Sequence, residues 1–160
     1  LLREGVAIRN LRAVLEGLCE LGVQMKDTEQ LTEAIRQRLS RQLTSSFRSM
    51  NGTIFALVLD GAVEEMFRRS LRDIATGAGG ALDPEQTRIL GEELERAVQQ
   101  MVEAGHPPCC VTSPDIRRYV RAFAERRSAR LAVLSFRELD PTVPVRPFRT
   151  LSFQPQGVAA

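Results

Sequence analysis

Thr53-Ile54-Phe55-Ala56-Leu57-Val58-Leu59-Asp60 decides how this chain is read. The run follows a turn signal, Met50-Asn51-Gly52, and is short, apolar and rich in β-branched and aromatic residues, which predicts a strand buried on both faces. Asp60 then offers a carboxylate to the first free amides of a helix, predicted over 62–73 with Val63, Met66, Phe67 and Leu71 inward. A strand that feeds directly into a capped helix is the opening of an α/β unit.

The pattern continues downstream. Thr76-Gly77-Ala78-Gly79-Gly80 reads as a mobile link. Asp83-Pro84-Glu85-Gln86 is a helix start, with a capping acid, a Pro where no amide donor is needed, and a Gln able to reach back. The helix it opens brings Leu90, Leu94, Ala97, Val98 and Met101 to one face and stops near Gly105, ahead of Pro107 and Pro108. Strands are predicted at Cys109–Thr112, Leu131–Phe136 and Val143–Phe148, the last at a sheet edge because Pro144 and Pro147 donate no amide. Ser113-Pro114-Asp115 repeats the helix-starting device, with Ile116, Val120 and Phe123 inward and a basic outer face.

Upstream, Ile8, Leu11, Val14, Leu15, Leu18 and Leu21 recur at helical spacing on one face of a helix that Gly22 ends. Asp27 with Gln30 caps a second helix whose buried stripe is Leu31, Ala34, Ile35, Leu39, Leu43 and Phe47. The expected fold class is therefore α+β: a small helical subdomain over 1–48, then a mixed α/β subdomain over 49–153 in the order β-α-α-β-α-β-β. Residues 154–160 read as a disordered tail.

Composition narrows the functional classes. With 160 residues and 43% hydrophobic content, the chain can bury one ordinary core or two small ones. A net charge of +2 argues against a dedicated nucleic-acid binder, and every basic residue except Lys26 is Arg, the better partner for fixed carboxylate pairing. Three cysteines make no disulfide framework and point to a reducing compartment. No apolar run approaches the roughly 20 residues a membrane span needs. The start at Leu1, without an initiator Met, reads as a cut inside a longer protein.

Reactive constellations are sparse. His106 is the only histidine, so no metal cluster can gather around it, and Gly105-His106-Pro107-Pro108 reads as a solvent-facing helix exit. Cys109 lies three residues from His106 but has no third orienting group, and Cys110 reads as a small core residue. The glycines at 77–80 lack the Gly-Lys-Ser/Thr of a phosphate loop. No catalytic, cofactor-binding or metal site is expected, and the chain is not expected to be an enzyme.

Five segments carry a family resemblance: LLREGVAIRNLRAVLEGL (1–18), KDTEQLTEAIRQRLSRQ (26–42), TIFALVLD (53–60), SPDIRRYVRAF (113–123) and LAVLSFRELDPTVPV (131–145). Together they resemble the third and fourth cytoplasmic subdomains of the type III secretion export-gate family that includes SctV and flagellar FlhA, the FHIPEP family, with wording closer to injectisome members. One departure is Gly61, where the family commonly has Pro, which implies a looser start to the helix there.

The resemblance implies the cytoplasmic part of an inner-membrane protein. That part forms a nonameric homo-oligomeric ring and receives chaperone-cargo complexes, gatekeepers and other export-apparatus proteins. It implies no cofactor and no nucleic acid. The candidate subunit interface is Arg3, Glu4, Arg9, Arg12, Arg36 and Arg41, charged residues available for pairing with acids and bases of a neighbouring copy. Arg117, Arg118 and Arg121 are read the same way. The alternative is a winged-helix-like nucleic-acid-binding module, suggested by the Arg-rich helices.

Overall fold

The computed structural model describes residues 1, 4, 6 and 10–153; Ile8, Arg3, Arg9 and the tail 154–160 lie outside the described residues. Among them are six helices, α1 (Leu11–Leu21), α2 (Thr28–Arg38), α3 (Ser40–Ser46), α4 (Gly61–Ala75), α5 (Pro84–Glu103) and α6 (Arg117–Glu125). Four strands, β1 (Ile54–Leu59), β2 (Cys109–Thr112), β3 (Ala132–Ser135) and β4 (Val145–Leu151), complete the fold, with a 3-10 turn at Phe136–Glu138.

The strands form one sheet in the order β3-β2-β1-β4, and every neighbouring pair is parallel. β1 is central, which is why both its faces are apolar. The crossovers β1 to β2 and β2 to β3 step one way across the sheet, and β3 to β4 steps back. Right-handed connections must then lie on opposite faces. The cores agree. Leu57, Cys110, Val133 and Leu151 pack with Val63 and Phe67 of α4, Leu90, Leu94, Ala97 and Met101 of α5, and Val120 and Ala124 of α6. The other face, Ile54, Ala56, Cys109, Val111 and Leu134, is covered by Leu139 and Val143 of the return crossover and by Phe47 after α3.

Local chemistry sets the helix ends. Asp60 Oδ1 accepts from Val63 N at 2.7 Å, so Gly61 enters α4 under a firm cap rather than a loose one. Asp83 accepts from Gln86 N at 2.8 Å. α5 closes with His106 N donating to Met101 O at 2.9 Å and Gly105 N to Val102 O at 3.0 Å, while Gly105 adopts φ +75°, a conformation that favours glycine.

Several sequence expectations are corrected. The helix predicted beyond Ser113 begins only at Arg117, with no side-chain cap. Ser113 is drawn elsewhere: its Oγ donates to Glu64 of α4 at 2.9 Å, and its amide donates to the same carboxylate. The second helix is two, α2 and α3, broken at Leu39. The last strand runs on to Leu151, keeping its place at the edge, and a register shift between Ala56 and Leu57 falls beside Pro147.

The glycine link is also less free than its composition suggests. Gly80 (φ +56°) sits against α4, its carbonyl accepting from the Ser70 hydroxyl. A Cβ there would lie 2.6 Å from Ser70 O and 2.9 Å from Ile74 N, both backbone atoms that cannot swing aside. Gly80→Ala is expected to destabilise the fold by about 1–3 kcal/mol, the usual range for forced backbone strain, whereas Gly77→Ala, with open space around it, is expected to cost less. Paired urea titrations of the two variants check the difference.

Candidate interaction surfaces and the buried charge network

α1 packs on α2 through Val14 and Gly17, and the missing side chain of Gly17 lets Ile35 and Arg38 come within 3.4 Å of where a Cβ would be. That choice of face splits the predicted apolar stripe. Val14 is buried, but Leu11 and Leu15 remain half exposed and Leu18 is also turned outward. The helical part consequently has a small core, Val6, Val14, Ile35, Leu39 and Leu43, and a surface ridge of leucines flanked by Arg12 and Glu16, paired at 2.7 Å.

Where the helical part meets the sheet, charge replaces apolar packing. Arg117 Nε donates to Glu33 at 2.7 Å, its Nη2 donates to the same carboxylate, and Nη1 reaches Glu4 at 2.7 Å. Arg36 pairs with Glu138 through Nε, and its Nη1 lies 2.9 Å from Glu4, a charge contact without hydrogen-bond alignment. Glu138 in turn accepts from Ser135 N at 2.5 Å. Arg36, Arg117 and Glu138 are each no more than 2% exposed. Both guanidinium groups also donate to one main-chain oxygen, Val133 O on edge strand β3, at 3.3 Å, and Arg121 donates to Leu131 O at 2.7 Å. A cavity of about 40 Å³ lies in this seam between Glu4, Arg36, Leu43, Phe47 and Val133.

The electrostatics follow from these contacts. Burial is the largest influence on Arg117 and opposes its charge, but hydrogen bonds and charges from Glu33 and Glu4 outweigh it and raise the proton affinity of the guanidinium. Burial is likewise the largest influence on Glu4 and favours the protonated acid. Arg117 and Arg36 together overcome it and hold the carboxyl below the usual carboxylate range. Glu64 behaves alike, with Arg68 and Ser113 overcoming burial. Carboxyls depressed in the folded chain contribute stability that is complete above their unfolded pKa of about 4.3 and is lost as pH falls through the folded value. The melting temperature is therefore expected to hold above roughly pH 5 and to fall on further acidification. In Glu4→Gln that fall is expected to be shallower by scanning calorimetry.

Most of the predicted interface residues now have places. Arg36 and Glu4 belong to the seam within one chain, and Arg36 has no face left for a neighbouring copy. Arg117 is likewise internal rather than on an outer face, and Arg118 pairs with Glu29 of α2. Arg12 and Arg41 are exposed, Arg41 standing 3.8 Å from Asp140. Arg3 and Arg9 lie outside the described residues. The partners Glu33 and Glu138 were not predicted, because they sit 84 and 102 residues from the arginines they hold. One signal existed: Arg117 falls three residues before Val120 and seven before Ala124, on the inward face of α6.

His106 is half-buried rather than free in a loop. Its ring stacks on Phe55 with centroids 4.4 Å apart and meets Phe148 edge-on at 5.8 Å. Cys109 is buried, and burial pushes its thiol up to about 12, so it lacks the thiolate that chemistry would require. Cys19 on α1 is exposed. Alkylation of the native chain near neutral pH is expected to modify Cys19 quickly and Cys109 and Cys110 only after unfolding; mass spectrometry of digested samples reads the order. Among the described residues no group of three or more His, Cys, Asp and Glu could hold a metal, and no helix is long and apolar enough to cross a membrane.

The fold of this chain aligns with those of solved proteins. The structure of the Chlamydia pneumoniae CdsV and CdsO protein complex aligns with a TM-score of 0.80 at 32% identity, covering 94% of this chain and 43% of that one. The nonameric EscV cytosolic domain aligns at 0.69 and 29% identity, covering 94% and 44%. The FHIPEP family model matches residues 1–144, and the chain belongs to the FHIPEP family. Protein hrpC2 of Xanthomonas euvesicatoria is 42% identical over 147 residues, and flagellar biosynthesis protein FlhA of Bacillus subtilis 30% over 146. The chain covers 92% and 91% of itself in these alignments but spans only 22% of the length of either relative.

Proposed function

We propose that this chain is the C-terminal cytoplasmic part of a type III secretion export gate, a non-enzymatic ring subunit that docks chaperone-cargo complexes and gatekeepers for ordered export. The observation that carries the reading is the alignment of 94% of the chain with the EscV cytosolic domain solved as a nonamer. The CdsV and CdsO complex supports docking of a second protein on the same fold. In this reading the helical part over 1–48 serves subunit packing and the sheet part over 49–153 borders the docking surface. The protein would work at the cytoplasmic face of the inner membrane.

Arg3, Arg9, Arg12 and Arg41 are the residues we assign to contacts between neighbouring copies. A ring needs heterologous contacts, one face of a subunit against a different face of the next. Exposed Arg12 can leave Glu16 for such a partner at small cost, since exposed pairs contribute little. The nucleic-acid alternative is not favoured: Arg36, Arg117, Arg118 and Arg121 are already engaged within the chain, and a four-stranded parallel sheet supplies no wing.

Electron microscopy and light scattering of the complete cytoplasmic region bearing this sequence test the proposal. Ninefold rings are expected, weakened by charge reversal at Arg9 and Arg12. A monomer at every concentration overturns the ring assignment, and unchanged rings in the reversed variant remove those two residues from it.

A further inference from the structure

The seam between the helical part and the sheet is the least ordinary piece of the molecule. Among the described residues there are three apolar cores, and the one belonging to α1–α3 is separate from the two that sandwich the sheet. Phe47 is the apolar side chain that the helical part contributes to the sheet's second face. Between them stand Glu4, Glu33 and Arg36 on one side and Arg117 and Glu138 on the other, with the cavity of about 40 Å³ where close packing would otherwise be. The covalent connection is the short segment after α3, where Gly52 takes φ +81° and Met50 is fully exposed.

Ion pairs differ from apolar contacts in what they specify. Apolar surfaces slide with little change in energy, whereas a guanidinium fork meets a carboxylate at fixed angles. Burying such pairs contributes little net stability compared with apolar side chains of equal volume, so what they supply is geometry. Here two forks converge on one main-chain oxygen, Val133 O, and share one carboxylate, Glu4. That constellation ties the docking pose to several bond directions at once.

We infer that Glu4, Glu33, Arg36, Arg117 and Glu138 form an ionic lock that sets the angle between the helical part and the sheet, and that this angle loosens when the lock loses charge. These five are positioning residues. The inference does not depend on the ring assignment.

Pulsed electron-electron resonance on the complete chain tests it, with one spin label on the native Cys19 and a second on Gln99→Cys of α5. Cys109 and Cys110 are buried and stay unlabelled. The unsubstituted seam is expected to give a single narrow distance. Glu4→Gln combined with Glu33→Gln keeps shape but removes charge, and is expected to add a second population at a different distance with unchanged circular dichroism. Glu29→Gln, which removes an exposed pair with Arg118, serves as the control and is expected to leave the distance alone. Should the double glutamine variant fail to fold, Arg36→Met with Glu138→Leu carries the test, expected to fold and to broaden the distance. A broad distribution in the unsubstituted seam, or a folded seam variant with the original distance, overturns the lock.

Discussion

Arg36→Ala is expected to lower the free energy of unfolding by about 3–5 kcal/mol, the range for removing one partner of a buried ion pair. The asymmetry of the seam explains why this arginine, rather than Arg117, is the sensitive one. Arg117 is held by Glu4 and Glu33, carboxylates with side chains 23% and 21% exposed that can hydrate when their partner is lost. Glu138 is 1% exposed. Without Arg36 its carboxylate keeps, among the described residues, the Ser135 amide alone, and must be protonated or draw water into the seam. Arg36→Met with Glu138→Leu removes both charges and is expected to recover most of the loss. Urea denaturation of the three chains reads both results, and a single variant within 1 kcal/mol of the parent would contradict this account of the burial cost.

The second large effect is expected at Phe67→Ala, about 3–5 kcal/mol for a buried aromatic cut back to a methyl group. Phe67 is 2% exposed on α4, the helix that leaves the central strand, and meets Phe123 of α6 edge-on with centroids 5.8 Å apart. It therefore joins two crossover helices as well as filling space over β1. Phe67→Leu fills more of that space and is expected to cost less than the alanine. Thermal melts of the pair separate lost volume from lost ring geometry.

The legible parts of this fold were those written in neighbouring residues. Ile54 to Leu59, the Asp60 and Asp83 caps, the α5 stripe from Leu90 to Met101 and the strand Cys109–Thr112 all rest on spacing and short-range hydrogen bonding, and each is found. What failed depended on partners distant in the chain. Ser113 has the composition of a cap but answers to Glu64, 49 residues away. Leu11, Leu15 and Leu18 have helical spacing, yet periodicity alone does not say which half of a stripe the neighbouring helix will cover, and Gly17 decided that. The arginines assigned to a neighbouring copy on grounds of charge include three, Arg36, Arg117 and Arg118, that find acids within the chain. Formal charge could not show it, because pairing across the seam is a property of the docked pose.

The arginine contacts to β3 reach beyond the seam. A strand at the end of a sheet normally leaves every second carbonyl free, a template on which another chain can grow. Here Leu131 and Val133 already spend those oxygens on Arg121, Arg36 and Arg117. At the opposite margin Pro147 supplies no amide, and the shifted register interrupts β4. Both margins of the sheet are thereby poor templates for strand-to-strand growth between copies.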